Sequence, residues 1–240
     1  VLEYRAENET QWTQLIGTSP FSIENLSHLT KYYFKATSVC TDGYSIVSQP
    51  QHFFSPYAPL PVPYTQNFEE PFVAADGITS NRSTPVYWWN IDGVSFGYFF
   101  QSTFGSYAHS GTSCVGHSSN SNATGSCSDW LISPVINLSG NEQMKYYIRL
   151  AYSYSDGRTL TIDVMACDVS QSDIQSMSDT SRFTLVSRIR HDDLTTDYQE
   201  AVAALADYSG PTRIALAVRQ GVENLNLDDI SVEAEPPCPP

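Results

Sequence analysis

From Lys31 to Cys40 the chain runs Lys-Tyr-Tyr-Phe-Lys-Ala-Thr-Ser-Val-Cys, an alternation of period two that puts Tyr32, Phe34, Ala36 and Ser38 on one face. Short runs of the same kind recur along the whole sequence. Before residue 56 they predict strands at 1–6, 10–17 and 44–54, besides the run from Lys31. After residue 64 they predict strands at 66–70, 85–91, 98–104, 128–138, 143–155, 159–167, 183–190, 200–205, 212–220 and 227–234. Asp42-Gly43, Asp76-Gly77, Asp92-Gly93, Asp156-Gly157 and Ser209-Gly210-Pro211 punctuate them as turns. Asp-Gly pairs are hairpin signals, and Asp92-Gly93 is read as one. One short helix is expected at 170–178. Many short strands at this spacing predict an all-β chain, a sandwich or jelly roll, and not βαβ units.

The alternation breaks at residues 56–64, Pro-Tyr-Ala-Pro-Leu-Pro-Val-Pro-Tyr, where four prolines fix φ and remove donors. This stretch predicts a stiff extended linker. The expected organisation is a partial module at 1–56, a linker at 57–64, a main domain at 65–235 and the start of a following module at 236–240. Both ends read as cut from a longer protein.

Composition narrows the function classes. Hydrophobic residues make up 41%, enough for a core, while the formal net charge is −14. So acidic a surface repels phosphate backbones and anionic membranes, which argues against nucleic acid as a partner. No segment has the length and apolarity of a transmembrane helix, so membrane insertion is not expected. Acidic excess also concentrates cations, Ca²⁺ among them.

Five cysteines, Cys40, Cys114, Cys127, Cys167 and Cys238, fall into no CxxC or zinc-ligand spacing. Cys114 and Cys127 bracket a Ser/Asn/Gly-rich stretch read as a loop, and a bridge between them would contribute roughly 3 kcal/mol. Such a bridge requires an oxidising compartment. Cys167 reads as a buried strand residue. For catalysis the residues offer little: no Gly-x-Ser-x-Gly elbow, no HExxH and no phosphate loop. His109 and His117 flank Cys114, but they read as solvent-facing loop residues and not as a thiol–imidazole pair.

Two family resemblances follow from ordered motifs. Leu2, Tyr4, Trp12, Leu26, Leu29, Thr30, Tyr32, Phe34, Cys40, Gly43 and Ser45 resemble a fibronectin type III module from its third strand onward. The usual proline before Thr30 is absent. The main domain carries Phe68-Glu69 after the proline-rich stretch, then Trp88-Trp89-x-x-Asp92-Gly93. Asp129-Trp130-Leu131-Ile132-Ser133-Pro134 with Ile136 and Leu138 follows, and Leu227-Asp228-Asp229-Ile230-x-Val232 closes it. In this order these motifs resemble the jelly rolls of MAM, cleaved adhesin and choice-of-anchor J domains of Bacteroidetes surface proteins. The acidic Gly-rich run usual after the tryptophan shrinks to Asn90–Ser95.

Strict alternation from Ile230 and Val232 puts Asp228 on the core face, where an ionised carboxylate needs a partner. Ca²⁺ or loop amides would satisfy it. The resemblance implies structural calcium between the first and last strands, with Glu69 and Asp228 as ligands and Asp229 a weaker candidate. Adjacent aromatics on a strand point to opposite faces, which makes Trp89, Tyr147 and Arg149 the candidates for ligand stacking.

The function these readings imply is non-catalytic binding or adhesion. The chain is expected to be a segment of a secreted or cell-surface bacterial protein that meets glycan or host protein, beside neighbouring modules of the same polypeptide. The alternative is an accessory binding domain of a secreted peptidase or glycoside hydrolase whose catalytic domain lies outside this sequence.

Overall fold

The computed structural model describes residues 1–27, 30–39, 45–55, 59–74, 83–85, 87–93, 97–119, 128–152, 160–169, 179–221 and 224–236. By internal contacts the chain divides into two compact units, Val1–Ala58 and Pro59–Pro240. The expected turn at Asp42-Gly43, the expected helix at 170–178, and Cys40, Cys127 and Cys238 lie outside the described residues.

The first unit is an antiparallel sheet of β1 (Leu2–Ala6), β2 (Thr13–Leu15), β3 (Lys31–Val39), β4 (Ser45–Val47) and β5 (Gln51–Phe54). β3 is its hub and pairs with β1, β4 and β5. The alternation read at Lys31 holds where it matters: Tyr32 is buried and stacks on Phe53 at 5.7 Å. Toward the β3–β4 end Val39, Ile46 and Val47 are exposed.

The second unit is a jelly-roll sandwich of two antiparallel sheets. Its strands are β6 (Tyr64–Gln66), β7 (Trp89–Ile91), β8 (Gly97–Ser102), β9 (Cys114–Ser119), β10 (Asp129–Ser139) and β11 (Glu142–Leu150). The rest are β12 (Leu160–Asp168), β13 (Thr184–Arg190), β14 (Gln199–Ala204), β15 (Ser209–Gly221) and β16 (Leu225–Ala234). One sheet has the order β13-β12-β15-β10-β7, the other β14-β11-β16-β9-β8, with β6 also on β16. Between them lies one apolar core, to which β11 gives Met144, Tyr146, Ile148 and Leu150 and β15 gives Ile214, Leu216 and Val218. Period-two alternation supplies these residues directly.

Four features differ from the sequence expectation, each for a local reason. The proline-rich stretch does not stay a spacer throughout. Leu60 bridges β10, its N–H donating to Val135 and its carbonyl accepting from Asn137, both at 2.8 Å. Val62 and Tyr64 then pack on the core, and the Tyr64 hydroxyl accepts from Trp88 Nε1 at 2.8 Å. Second, Cys114–Ser119 is a strand and not a loop: Val115 lies in the core while Cys114 and Gly116 face outward. Third, Asp92-Gly93 does not close a hairpin, because β7 and β8 belong to different sheets; it carries the chain across the sandwich. Fourth, bulges interrupt the alternation in β10 and β16. In β10 the register shifts at Ser133-Pro134, where proline has no N–H to give the ladder. Ser133 Oγ instead accepts the N–H of Ile214 at 2.9 Å, and the core face passes from Leu131 to Ile136.

The bulge in β16 matters most. Asp229 has φ 47°, a left-handed conformation that aspartate tolerates better than most residues, and the pairing with β11 shifts between Lys145 and Tyr147. Core residues therefore run Leu225, Leu227, then Ile230, Val232. Asp228 is not on the core face with Ile230. It lies on the outer face, opposite Tyr147.

Candidate functional site

Asp228 is nevertheless fully buried. What covers it is the segment between β8 and β9, residues 103–113, which folds over the outer face of the β14-β11-β16-β9-β8 sheet. Carboxylates fasten it. Asp228 Oδ2 accepts the N–H groups of His109 (2.8 Å) and Ser110 (3.2 Å), and Oδ1 accepts that of Asp229 (2.8 Å). The left-handed turn at Asp229 aims its own carboxylate at the same segment, with Oδ2 2.8 Å from His109 Nδ1 and Oδ1 accepting from Ser110 Oγ at 2.9 Å. Glu69 holds the far end: Oε1 accepts from Thr112 N (3.0 Å) and Ser113 N (2.9 Å), and Oε2 from Thr112 Oγ1 (2.9 Å). Gly111, at φ 64°, leaves room for this carboxylate, since a Cβ there would lie 2.3 Å from Oε1.

The electrostatics differ between the two anchors. Hydrogen bonds from Ser113 and Thr112 hold the Glu69 carboxyl below its ordinary pKa. Burial pushes Asp228 up to about 6 despite its three amide donors.

Aromatic rings complete the cover. His109 stacks on Tyr147 with centroids 3.6 Å apart and meets Tyr198 edge-on at 5.2 Å. The Tyr198 hydroxyl donates to the Tyr107 carbonyl at 2.6 Å. Arg149 lies over the rings of Tyr198 (5.0 Å) and Tyr107 (5.6 Å) and donates to the Ser106 carbonyl at 3.3 Å. Tyr107 and Tyr152 share a hydroxyl–hydroxyl bond of 3.2 Å, and Phe104 meets Tyr107 edge-on at 5.8 Å. Phe104 is 69% exposed and Tyr152 46%. The covered face therefore ends in a tip of exposed rings.

Set against the sequence candidates, the structure brings Glu69, Asp228, Asp229, Tyr147 and Arg149 to this one segment. Trp89 is elsewhere: it lies on the outer face of the other sheet, buried, with the Arg213 guanidinium 4.3 Å above its ring. Tyr147 and Arg149 are occupied in holding the segment down. The open rings are Phe104 and Tyr152, which the sequence put at or near the ends of predicted strands and which lie just beyond the observed ends of β8 and β11.

Cys127, the expected partner of Cys114, lies outside the described residues, while Cys114 itself carries a free, buried thiol. Its strand turns Sγ toward Asn226, whose Nδ2 donates at 3.7 Å, and burial pushes the thiol up to about 11. Nor do the flanking histidines activate it. His117 faces the core from β9, fully buried, its Nε2 2.9 Å from Asp129 Oδ2; His109 is bound to Asp229. His117 is thus not the solvent-facing loop residue that the sequence suggested, whereas His109 does lie in an exposed loop, its ring bound to Asp229 and stacked on Tyr147.

The calcium expectation meets the same inventory. Amide or hydroxyl donors already take the carboxylate oxygens of Glu69 and Asp228, leaving one lone pair each on Glu69 Oε2 and Asp228 Oδ1. Ca²⁺ takes six to eight oxygens. Among the described residues no three His, Cys, Asp or Glu side chains gather as a metal site. As arranged, the donor set does not fit a resident calcium ion, and the segment amides fill the role expected of one.

No family model matches the sequence, and no curated protein matches it. Among solved structures, the chain is similar to the K1 cleaved adhesin domain of Lys-gingipain from Porphyromonas gingivalis W83. The TM-score is 0.50 at 16% identity, over 73% of this chain and 99% of that one. The K2 cleaved adhesin domain of Lys-gingipain follows at TM-score 0.48 and 18% identity, over 71% and 99%. A carbohydrate-binding module of the β-sandwich superfamily follows at TM-score 0.46 and 14% identity, over 96% and 84%. The likeness to the K1 domain is one of fold.

Proposed function

We propose that this chain is a non-catalytic binding segment of a secreted or cell-surface protein, and that its second unit meets a glycan through the tip of segment 103–113. The observation that carries this is the exposed pair Phe104 and Tyr152, with Tyr107 and Arg149 behind them. Exposed rings gathered at one tip, rimmed by polar groups, are the kind of patch that marks a binding site. A ring with hydroxyl and guanidinium groups beside it suits a sugar, whose apolar face stacks while its hydroxyls bond. The carboxylate fastening below keeps the tip organised before binding, which lowers the entropic cost of association.

The similarity to cleaved adhesin domains supports the fold on which this reading is placed. The first unit is read as an incomplete fibronectin type III module, supported by its β3 hub and the buried Tyr32. Among the described residues no helix is long and apolar enough to cross a membrane.

The test is a glycan array followed by titration of a positive sugar against Phe104→Ala and Tyr152→Ala. Each substitution is expected to weaken binding by about tenfold, the effect of losing roughly 1.4 kcal/mol of stacking. Unchanged affinity in both variants would remove the tip from the proposal.

A further inference from the structure

The other sheet carries a separate surface. Across β7-β10-β15-β12-β13, one row of directly paired residues runs Ile91, Trp130, Ala217, Asp163, Arg188. Paired residues in antiparallel strands share a face, and Leu131 beside Trp130 is in the core, so this row faces outward. The next outward row is Trp89, Ile132, Ala215, Met165. Small alanines at the centre leave a trough, and arginines lie in it. Arg219 sits over the Trp130 ring at 4.4 Å and Arg213 over Trp89 at 4.3 Å.

Arginines are concentrated on this face, with Asp192 and Asp193 following Arg190 at its edge. Asp163, 2% exposed, is the carboxylate in its centre. Arg188 holds it bidentately, Nε to Oδ1 at 2.6 Å and Nη2 to Oδ2 at 2.8 Å. Arg219 Nε is 3.8 Å from the same Oδ2. Two guanidiniums thus share one carboxylate, and their side chains remain 44% and 36% exposed. Arg219 donates no hydrogen bond to any described residue, so the outer edge of its planar fork is unspent. Arg190, exposed and two residues from Arg188, extends the same face. Asp168 and Asp179 lie at the far side of the face, near Cys167 and Arg182. Arg188, Arg190, Arg213 and Arg219 are four of the twelve lysines and arginines in a chain of net charge −14.

We infer that this face binds an acidic polysaccharide through Arg188, Arg190 and Arg219. An arginine that is held over a tryptophan and donates no hydrogen bond to any described residue keeps N–H groups with which a guanidinium can take carboxylate or sulfate oxygens in pairs. Guanidiniums from β13 and β15, on either side of β12, are spaced across the face, as anionic groups are spaced along a uronate or sulfated chain. A protein partner would need a desolvated aromatic or apolar anchor. Here Trp89, Trp130, Ile132 and Met165 are all buried, and Leu185 at the edge is the one large exposed apolar side chain among the described residues of this face. With the rest of the surface acidic, attraction to a polyanion is confined to about one Debye length from the arginines.

The experiment is affinity electrophoresis of the full chain through gels containing polygalacturonate, dextran sulfate, polyglutamate or neutral dextran, at low and at 200 mM salt. Retardation is expected with one or both acidic polysaccharides and not with neutral dextran, and it should weaken with salt. The two acidic arms distinguish carboxylate from sulfate as the group recognised. Arg219→Gln, which breaks no hydrogen bond to a described residue, should lower affinity about tenfold, and Arg190→Gln on top of it further. Thermal melts of both variants check that the fold is intact. The Arg190→Gln/Arg219→Gln variant leaves the ring tip intact, so the two surfaces are read separately. Equal retardation by neutral dextran, equal or stronger retardation by polyglutamate, or full retention in the Arg190→Gln/Arg219→Gln double variant would overturn the inference.

Discussion

The two outer faces of the sandwich are both covered, but by different means. On the β14-β11-β16-β9-β8 sheet a separate piece of chain lies over the strands, fastened by Glu69, Asp228 and Asp229. On the β13-β12-β15-β10-β7 sheet the cover includes side chains of the sheet itself, arginines over tryptophans. The first arrangement is a set of hydrogen bonds between distant parts of the chain, each worth about 1 kcal/mol net. The second is mostly buried aromatic area, which contributes more per residue. The contrast teaches that a buried residue on this fold need not face the core, and that the two faces should fail in different ways.

The sharpest way to test that difference is to remove Trp130. It is 1% exposed, yet it lies on the outer face, against Phe183 at 5.5 Å and under Arg219. Trp130→Ala is expected to cost about 3–5 kcal/mol in denaturant unfolding, the range of a buried aromatic truncated to alanine. Tyr147→Ala, which removes one stacked ring from the opposite face, should cost about 1 kcal/mol. Similar losses from the two would erase the distinction.

Much of this architecture was legible in the sequence, and the parts that were not share a cause. Alternation located nearly every strand, and the core faces of β11 and β15 follow from it residue by residue. It failed where the count of two is interrupted. At Ser133-Pro134 a warning was available, because proline cannot serve a central ladder. At Asp228-Asp229 there was none beyond the aspartate's tolerance of positive φ, and the one-residue shift moved Asp228 from the core face to the outer one. β9 was missed because Gly116, His117, Ser118 and Ser119 read as loop, although Val115 and His117 hold the core face. The fastening of segment 103–113 was invisible for a different reason: His109 and Ser110 meet residues 118 to 120 positions away. Strand pairing places the β16 strand, but no local pattern announces what covers it.

A smaller effect separates chain cover from side-chain cover by loosening only the former. Gly111→Ala puts a β-carbon on a left-handed residue and 2.3 Å from Glu69 Oε1, so the carboxylate must leave Thr112 and Ser113. The expected loss is about 2 kcal/mol, part backbone strain and part lost hydrogen bonds. Hydrogen exchange locates it: the amides of His109, Ser110, Thr112 and Ser113 should exchange faster while those of β12 and β15 keep their protection. Uniform acceleration in both sheets would mean that the segment is not a separable cover.

The smallest expected effect asks what the carboxylates on that face are for. The folded-state pKa of Asp228 is raised, to about 6 from an ordinary 3.8, so between those values the folded chain holds a proton that the unfolded chain has lost. Stability should therefore fall as pH rises from about 4 to about 6, by an amount on the order of 1 kcal/mol. Glu69 has the opposite sign: its lowered pKa contributes stability that is lost only as pH drops below the ordinary glutamate range. Asp228→Asn should flatten the segment between pH 4 and 6 and leave the acid limb in place. Run in EDTA and again in excess calcium, the two profiles should coincide, because amide donors occupy the oxygens an ion would need. A midpoint raised by several degrees in calcium, only above pH 6 and only with Asp228 and Glu69 intact, would reverse this reading. It would mean that backbone oxygens complete a cage around an ion, and that the cover on this face is fastened by the metal where the other face needs none.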